Sequence, residues 1–148
     1  MNTVCSFFGH RNVSSTIKPV LHAEIENHII EKNVNVFYVG GYGDFDAMTA
    51  GVLRELQNKY SHINIYHILA YIPGKKDEYN IDRDKNTIFP EGLEFVPRRF
   101  AITHRNRWIV EQSDYIIGYV LTSYGGAYEA LKYAKGKNKS IINLADSG

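Results

Sequence analysis

The chain has 148 residues, a formal net charge of +1 and a hydrophobic fraction of 44%, which together are typical of one globular domain. A net charge this close to zero lacks the basic surface that nucleic-acid-binding domains carry, so nucleic acid is not expected as a partner. The apolar runs are too short to span a membrane, so no membrane contact is expected. The start "MNTVCSFFGH" lacks a signal-peptide pattern, and Cys5 has no second cysteine to pair with. We therefore expect a cytoplasmic protein.

Strands and helices alternate along the chain. Continuous apolar runs predict strands over residues 3–8, 34–39, 63–71, 114–121 and 139–144, because a parallel strand is buried on both faces. Apolar residues at helical spacing predict helices over residues 17–32, 47–59, 98–112 and 127–137. This order predicts an α/β fold, a Rossmann-like open sheet of about five mostly parallel strands with helices on both faces, and a single domain over residues 1–148.

The least regular stretch is residues 72–99, which is rich in Pro, Gly, Lys and Asp. A structureless loop of this length in a compact domain is usually functional, so it predicts a lid or binding loop. The alternative is that it contains short elements that periodicity does not reveal.

Three glycine-bearing loops follow predicted strands and lead toward helices, where free N–H groups and the helix dipole favour phosphate. They contain Gly9, His10 and Arg11, then Gly40, Gly41 and Gly43, then Ser123, Tyr124, Gly125 and Gly126. Arg11 suits bidentate phosphate binding, whereas His10 either donates to a phosphate or fixes a turn. Because parallel strands end at one edge of the sheet, we expect these loops to form one nucleotide site; the alternative is that the glycines serve tight turns only.

The second of these loops, "FYVGGYGDFD", departs from the dinucleotide fingerprint because Asp46 occupies the slot of a glycine. We therefore interpret it as a tight turn at the flank of the site. Asp44 or Asp46 is expected to cap the helix that begins near Ala47.

The helix "THRNRW" adds Arg105, Asn106 and Arg107 as candidate anion ligands, with a solvated basic face as the alternative. The two arginines are two residues apart and do not share a helix face, so one is expected in the site while the other pairs with Glu111. A base is expected to stack on Tyr71, Tyr124 or Trp108.

Glu129 lies just inside the last helix, where it favours the helix dipole, contacts ribose hydroxyls or acts as an acid or base. The six histidines show no ligand spacing with carboxylates, so no metal site is expected. No cofactor is expected beyond the nucleotide ligand itself.

The segments "FFGHRN", "FYVGGYGDFD", "RNRWIVEQSDYIIGYV" and "YGGAYEALKYAKGKNKSIINL" span nearly the whole chain. Together they resemble the SLOG superfamily, which groups the Smf/DprA DNA-processing proteins with the Lonely Guy phosphoribohydrolases, and within it the small YpsA-like branch. The resemblance implies a Rossmann-like sheet that binds a nucleotide or a nucleotide-derived ligand, and a homodimer.

The Lonely Guy enzymes cleave the N-glycosidic bond of nucleoside monophosphates, and the resemblance carries over to this chain only in part. Arg105 matches the arginine of their pattern, nine residues before Asp114. The glutamate of their GGxGTxxE motif falls on Ala130, so Glu129 is one residue early and about 100° round the helix. The resemblance therefore supports ligand binding more than this hydrolysis.

The leading hypothesis is a regulatory or sensing protein that binds a mononucleotide or an ADP-ribose-like ligand at the carboxyl ends of the strands. Its phosphate would lie between the first and third glycine loops. The first alternative is an N-glycosidase with Arg105 and Glu129 as candidate catalytic residues, and the second is a non-enzymatic protein that sequesters a nucleotide.

Overall fold

A computed structural model describes residues 2–71 and 86–146. Its strands are β1 (Val4–Gly9), β2 (Val36–Val39), β3 (Asn64–Ile68), β4 (Thr87–Ile88), β5 (Tyr115–Tyr119) and β6 (Ser140–Asn143). Its α-helices are α1 (Lys18–Glu31), α2 (Asp44–Lys59), α3 (Ala101–Gln112) and α4 (Gly126–Gly136). Short 3-10 helices lie at Ser15–Ile17, Leu93–Phe95, Arg98–Phe100 and Leu144–Asp146.

The described strands form one parallel sheet in the order β4-β3-β2-β1-β5-β6. The central strand β1 lies between β2 and β5, so that Cys5 is opposite Phe37 on one side and Tyr115 on the other. The chain runs outward from β1 to β4 and then crosses back to β5. The switch point therefore lies between β1 and β5, where open α/β sheets bind ligands.

The two faces of β1 contribute to two separate cores, because successive side chains in a strand point to opposite faces. Phe7 packs in a cluster with residues of α1 and α2, and this cluster includes the fully buried Phe45. Phe8 packs in a second cluster with residues of α3 and α4. Helices thus cover both faces of the sheet, which confirms the predicted Rossmann-like α/β fold.

The structure corrects several sequence-based boundaries. The sheet has six described strands rather than about five, because Thr87–Ile88 adds a two-residue edge strand next to β3. The predicted helix over residues 98–112 begins as a 3-10 turn and becomes α-helical at Ala101. Half of the predicted lid over residues 72–99, residues 72–85, lies outside the described residues, and the other half contains β4 and 3-10 turns, as the alternative of short elements expected.

The predicted capping of α2 by an aspartate is also wrong. The helix begins at Asp44, and its N-cap is Gly43 with φ 93°, which has no side chain to cap with. Asp44 Oδ2 instead accepts from the Val13 N–H at 3.2 Å, and Asp46 Oδ2 accepts from the Tyr42 N–H at 2.9 Å. Both carboxylates therefore hold the preceding loops rather than the first turn of the helix.

Over the described part of the chain, every helix is too short or too polar to cross a membrane.

Candidate functional site

A cavity of about 230 Å³ lies at the carboxyl ends of the central strands, beside the switch point. Four segments enclose it: the end of β1 with the loop after it, the β2–α2 connection, one face of α3 and the start of α4. Its lining residues are Phe7, Phe8, Gly9, His10, Arg11, Gly40, Tyr42, Asp46, Ile102, Arg105, Asn106, Ile109, Tyr124, Gly125, Gly126 and Ala127. The cavity thus brings together parts of all three glycine loops and the arginine-bearing helix.

Arg105 supplies a buried positive charge in the wall of the cavity, with only 5% of its surface exposed. Its Nε and Nη2 donate to Asn106 Oδ1 at 3.2 and 2.9 Å, and its Nη1 donates to the Ile68 carbonyl at 3.4 Å. Burial lowers the pKa of the guanidinium, and the nearby Asp46 carboxylate opposes this shift. An arginine side chain stays protonated even so, so the cavity wall keeps its charge.

Asp46 places a carboxylate in the same cavity. Burial raises the pKa of this carboxyl group, while the hydrogen bond from the Tyr42 N–H and the charge of Arg105 act in the opposite direction. The cavity therefore contains a hydrogen-bond acceptor, the Asp46 carboxylate, near a hydrogen-bond donor, the Arg105 guanidinium.

The first turn of α4 forms another wall through Gly125, Gly126 and Ala127. The N-cap is Gly125, whose φ of 97° and ψ of 170° are accessible almost only to glycine. Since this N-cap has no side chain, the first N–H groups of α4 remain available to a ligand. The positive end of the helix dipole favours an anion at this wall.

The β1–α1 loop is joined tightly to the β2–α2 loop. The Asp44 N–H donates to the Arg11 carbonyl at 2.7 Å. A Cβ atom on Gly43 would lie 2.7 Å from Arg11 Cα, so a side chain at this position would push the two loops apart. This contact, together with the positive φ of Gly43, explains the glycine and holds Arg11 at the cavity.

His10 fixes a turn on the other side of the cavity. Its Nε2 accepts from the Leu121 N–H at 2.8 Å, and its ring contacts the Tyr119 ring edge-on. Because Nε2 is the acceptor, the neutral ring carries its proton on Nδ1. Of the two roles considered for His10, the structure shows the turn-fixing one.

The spacing of Ile102, Arg105, Asn106 and Ile109 explains which arginine of α3 lines the cavity. Positions i, i+3, i+4 and i+7 share one helix face, and this face meets the cavity. Arg107 lies on another face, with its guanidinium 5.3 Å from the centre of the Tyr133 ring. The expected pair of Arg107 with Glu111 is wrong, because Glu111 accepts from the Tyr133 hydroxyl instead.

Ten of the proposed site residues line the cavity: Gly9, His10, Arg11, Gly40, Asp46, Arg105, Asn106, Tyr124, Gly125 and Gly126. The other proposed residues, Gly41, Gly43, Tyr71, Arg107, Ser123 and Glu129, lie outside its lining. Sequence reasoning missed Phe7, Phe8, Tyr42, Ile102, Ile109 and Ala127. The helical spacing on α3 was the signal that could have identified Ile102 and Ile109.

Two of the three aromatic residues proposed for base stacking have other ring contacts. Trp108 stacks on Tyr38 with 5.7 Å between ring centroids, and the Tyr71 ring lies 4.1 Å from the Arg98 guanidinium. Tyr124 lines the cavity and is 72% exposed, so it is the one of the three placed to meet a ligand there.

Residues 2–71 and 86–146 contain no cluster of three or more His, Cys, Asp or Glu side chains that could bind a metal ion.

No protein-family model and no curated protein sequence matches this chain. Among solved structures, it is similar to DNA processing protein A (DprA) from Helicobacter pylori, with a TM-score of 0.63 and 16% identity over 94% of this chain. It is also similar to DprA from Streptococcus pneumoniae, with a TM-score of 0.64 and 14% identity over 95% of this chain. The chain spans 63% and 49% of the length of these two proteins.

At these identities the likeness establishes the fold, and it fits the SLOG resemblance at that coarse level. The YpsA-like branch stays a prediction. The Helicobacter pylori protein is described as having a unique single-stranded DNA binding mode. This single-stranded DNA binding mode on a similar fold contradicts the expectation that nucleic acid is not a partner.

Proposed function

We propose that the cavity binds a nucleotide of about the size of a mononucleotide, with its phosphate at the first turn of α4. The observation that carries this proposal is that an uncapped helix start and a buried guanidinium line the same cavity at the switch point of a parallel sheet. Helix N-termini and arginine side chains both bind phosphate well, the first through free N–H groups and the helix dipole and the second through charged N–H donors.

The size of the cavity favours a small ligand. Its volume of about 230 Å³ is below the ~300–1,000 Å³ of most pockets that enclose drug-sized ligands. A mononucleotide suits this space better than an ADP-ribose-like ligand, which carries a second sugar and a second phosphate.

The geometry favours binding over hydrolysis. A general acid or base must come within hydrogen-bond reach of the reacting atoms. Glu129 is exposed and lies outside the cavity lining, so its position gives no support to the N-glycosidase alternative. Regulatory binding or sequestration of an intact nucleotide is accordingly the function that we propose.

Ligand-induced thermal stabilisation tests this proposal. Nucleoside monophosphates and ADP-ribose are added at increasing concentration, and a ligand that binds the folded state raises the unfolding temperature by mass action. We expect the monophosphates to give the larger shift. Chromatography of the ligand after incubation should recover the intact nucleotide without released base.

Two arginine variants on the same helix provide a matched pair. Arg105→Gln removes the buried charge from the cavity wall and is expected to weaken binding about tenfold or more. Arg107→Gln removes a charge that lies over Tyr133 and is expected to leave binding unchanged. The absence of a shift with every nucleotide, or an equal loss in both variants, would refute the proposal.

A second candidate function is the binding of single-stranded DNA, and the DprA likeness favours it. Tyr124 lines the cavity and is exposed, and an aromatic side chain can stack a base of a flexible strand. Fluorescence anisotropy with labelled oligodeoxynucleotides distinguishes the two functions. Strand binding should weaken steeply with salt and strengthen with oligonucleotide length, whereas a mononucleotide site should show no length dependence.

A further inference from the structure

Asp46 and Arg105 face the same point of the cavity beside Gly40. A Cβ atom on Gly40 would lie 2.8 Å from Asp46 Oδ2 and 3.4 Å from both Nη atoms of Arg105. The carboxylate and the guanidinium are thus no further apart than these two distances taken together. The ion pairs within the described residues are elsewhere, so the two groups are near each other without direct contact.

Both groups are held in place by the surrounding backbone and side chains. Asp46 Oδ2 accepts from the Tyr42 N–H, while the Asn106 side chain and the Ile68 carbonyl accept from Arg105. Burial of Arg105 keeps its guanidinium from swinging out to solvent. The separation between the two charged groups is therefore a fixed feature of the cavity.

The separation has the right length for one bridging atom, because two hydrogen bonds in series span roughly 5–6 Å. The bridging group must donate to a carboxylate and accept from a guanidinium. A hydroxyl group does both, whereas a phosphate oxygen only accepts and an ammonium group only donates. The carboxylate also repels a phosphate from this side, which leaves the start of α4 as the place for the phosphate.

We propose that Asp46 is the specificity-determining residue of the site and that, with Arg105, it binds a sugar hydroxyl of the nucleotide. The hydroxyl donates to Asp46 Oδ2 and accepts from an Nη–H of Arg105. This inference rests on the proposed nucleotide function and narrows its ligand to nucleotides with a free 2′- or 3′-hydroxyl, with the sugar beside Gly40 and the phosphate at α4.

The test compares adenosine 5′-monophosphate with its 2′-deoxy and 3′-deoxy analogues by isothermal titration calorimetry. Loss of the bridging hydroxyl removes one hydrogen bond to the Asp46 carboxylate and one to the Arg105 guanidinium, so at least one of the two analogues is expected to bind the native protein about tenfold or more weakly. In Asp46→Ala this discrimination should fall below about threefold.

Asp44→Asn is the matched control, because this carboxylate is two residues away and accepts from the Val13 N–H outside the cavity lining. It should keep the discrimination of the native protein. If Asp46→Ala fails to fold, Asp46→Asn replaces it, since an amide keeps an acceptor for the Tyr42 N–H while removing the negative charge.

Equal affinity of the native protein for all three nucleotides would overturn the assignment of Asp46 while leaving nucleotide binding in place. Discrimination that survives in Asp46→Ala would also overturn it. Failure of all three nucleotides to bind would overturn both this inference and the proposed function.

Discussion

The substitution Gly9→Ala tests the packing that positions the cavity. Gly9 ends β1, and the ring of Phe45 covers it from the first turn of α2. A Cβ atom on Gly9 would overlap the Cβ, Cγ and Cδ2 atoms of Phe45. Because Phe45 is fully buried, the ring cannot move away without displacing its neighbours or the start of α2.

The expected cost follows from this overlap. Forcing an extra methyl group into a well-packed core typically costs about 1–3 kcal/mol. For a chain of this size each kcal/mol corresponds to roughly 2–4 °C in the unfolding temperature. We therefore expect Gly9→Ala to lower the unfolding temperature by about 2–12 °C, and to weaken nucleotide binding because the start of α2 carries Asp46.

Urea unfolding followed by circular dichroism measures the free energy of unfolding of each variant. Gly51→Ala is the control, since it lies inside α2 and an added Cβ atom would meet nothing within 4 Å. A glycine in a helix interior is less favourable than alanine by about 0.5–1 kcal/mol, so this substitution should stabilise the protein.

A double-mutant cycle with Phe45→Leu isolates the contact itself. The smaller side chain makes room for the added methyl group, so Gly9→Ala should cost less in the Phe45→Leu background than in the native one. Unchanged stability of Gly9→Ala, or an equal cost in both backgrounds, would refute this account of Gly9.

Three further predictions concern single positions. Burial raises the pKa of the Asp46 carboxyl group, so the folded state binds the carboxyl proton more tightly than the unfolded state does, and the free energy of unfolding falls as pH rises past the ordinary aspartate pKa. Asp46→Asn should therefore raise the free energy of unfolding at pH 7. Urea unfolding should show this increase at pH 7 and its loss at pH 3. Gly125→Ala forces a residue with a Cβ atom into a glycine-only conformation and should cost about 1–3 kcal/mol, whereas Gly126→Ala, with open space around its Cβ position, should be nearly neutral by the same measurement. Cys5 is fully buried and burial raises the pKa of its thiol, so a thiol-specific reagent should label it only in denaturant, and rapid labelling of the native protein would contradict this.

The sheet could be predicted from sequence because its strands are buried on both faces and so read as continuous apolar runs. The β1 sequence "VCSFFG" and the β5 sequence "YIIGY" carry this signal. The edge strand Thr87–Ile88 does not, because two residues show no period and their pairing depends on the neighbouring β3. Backbone pairing at an edge is a tertiary property that local composition does not encode.

The site was predictable to the extent that strand ends and helix starts determine it. Gly125 and Arg105 follow from their places after β5 and on α3. The need for glycine at position 9 could not be predicted in this way, because the side chain that leaves no room for a Cβ atom there is Phe45, 36 residues later in the chain. The direction of the Asp46 carboxylate depends on the Tyr42 N–H, and so its role in the cavity is visible only in the folded structure.

The error about nucleic acid has a physical origin in how charge acts on a ligand. Net charge sums over the whole surface, whereas a phosphate responds to the groups within a few ångströms, since more distant exposed charges are screened by salt. The net charge of +1 conceals a cavity in which a buried guanidinium and a helix N-terminus lie beside one carboxylate. The overall charge of the chain therefore does not decide whether such a cavity accepts the phosphate of a free nucleotide or that of a strand.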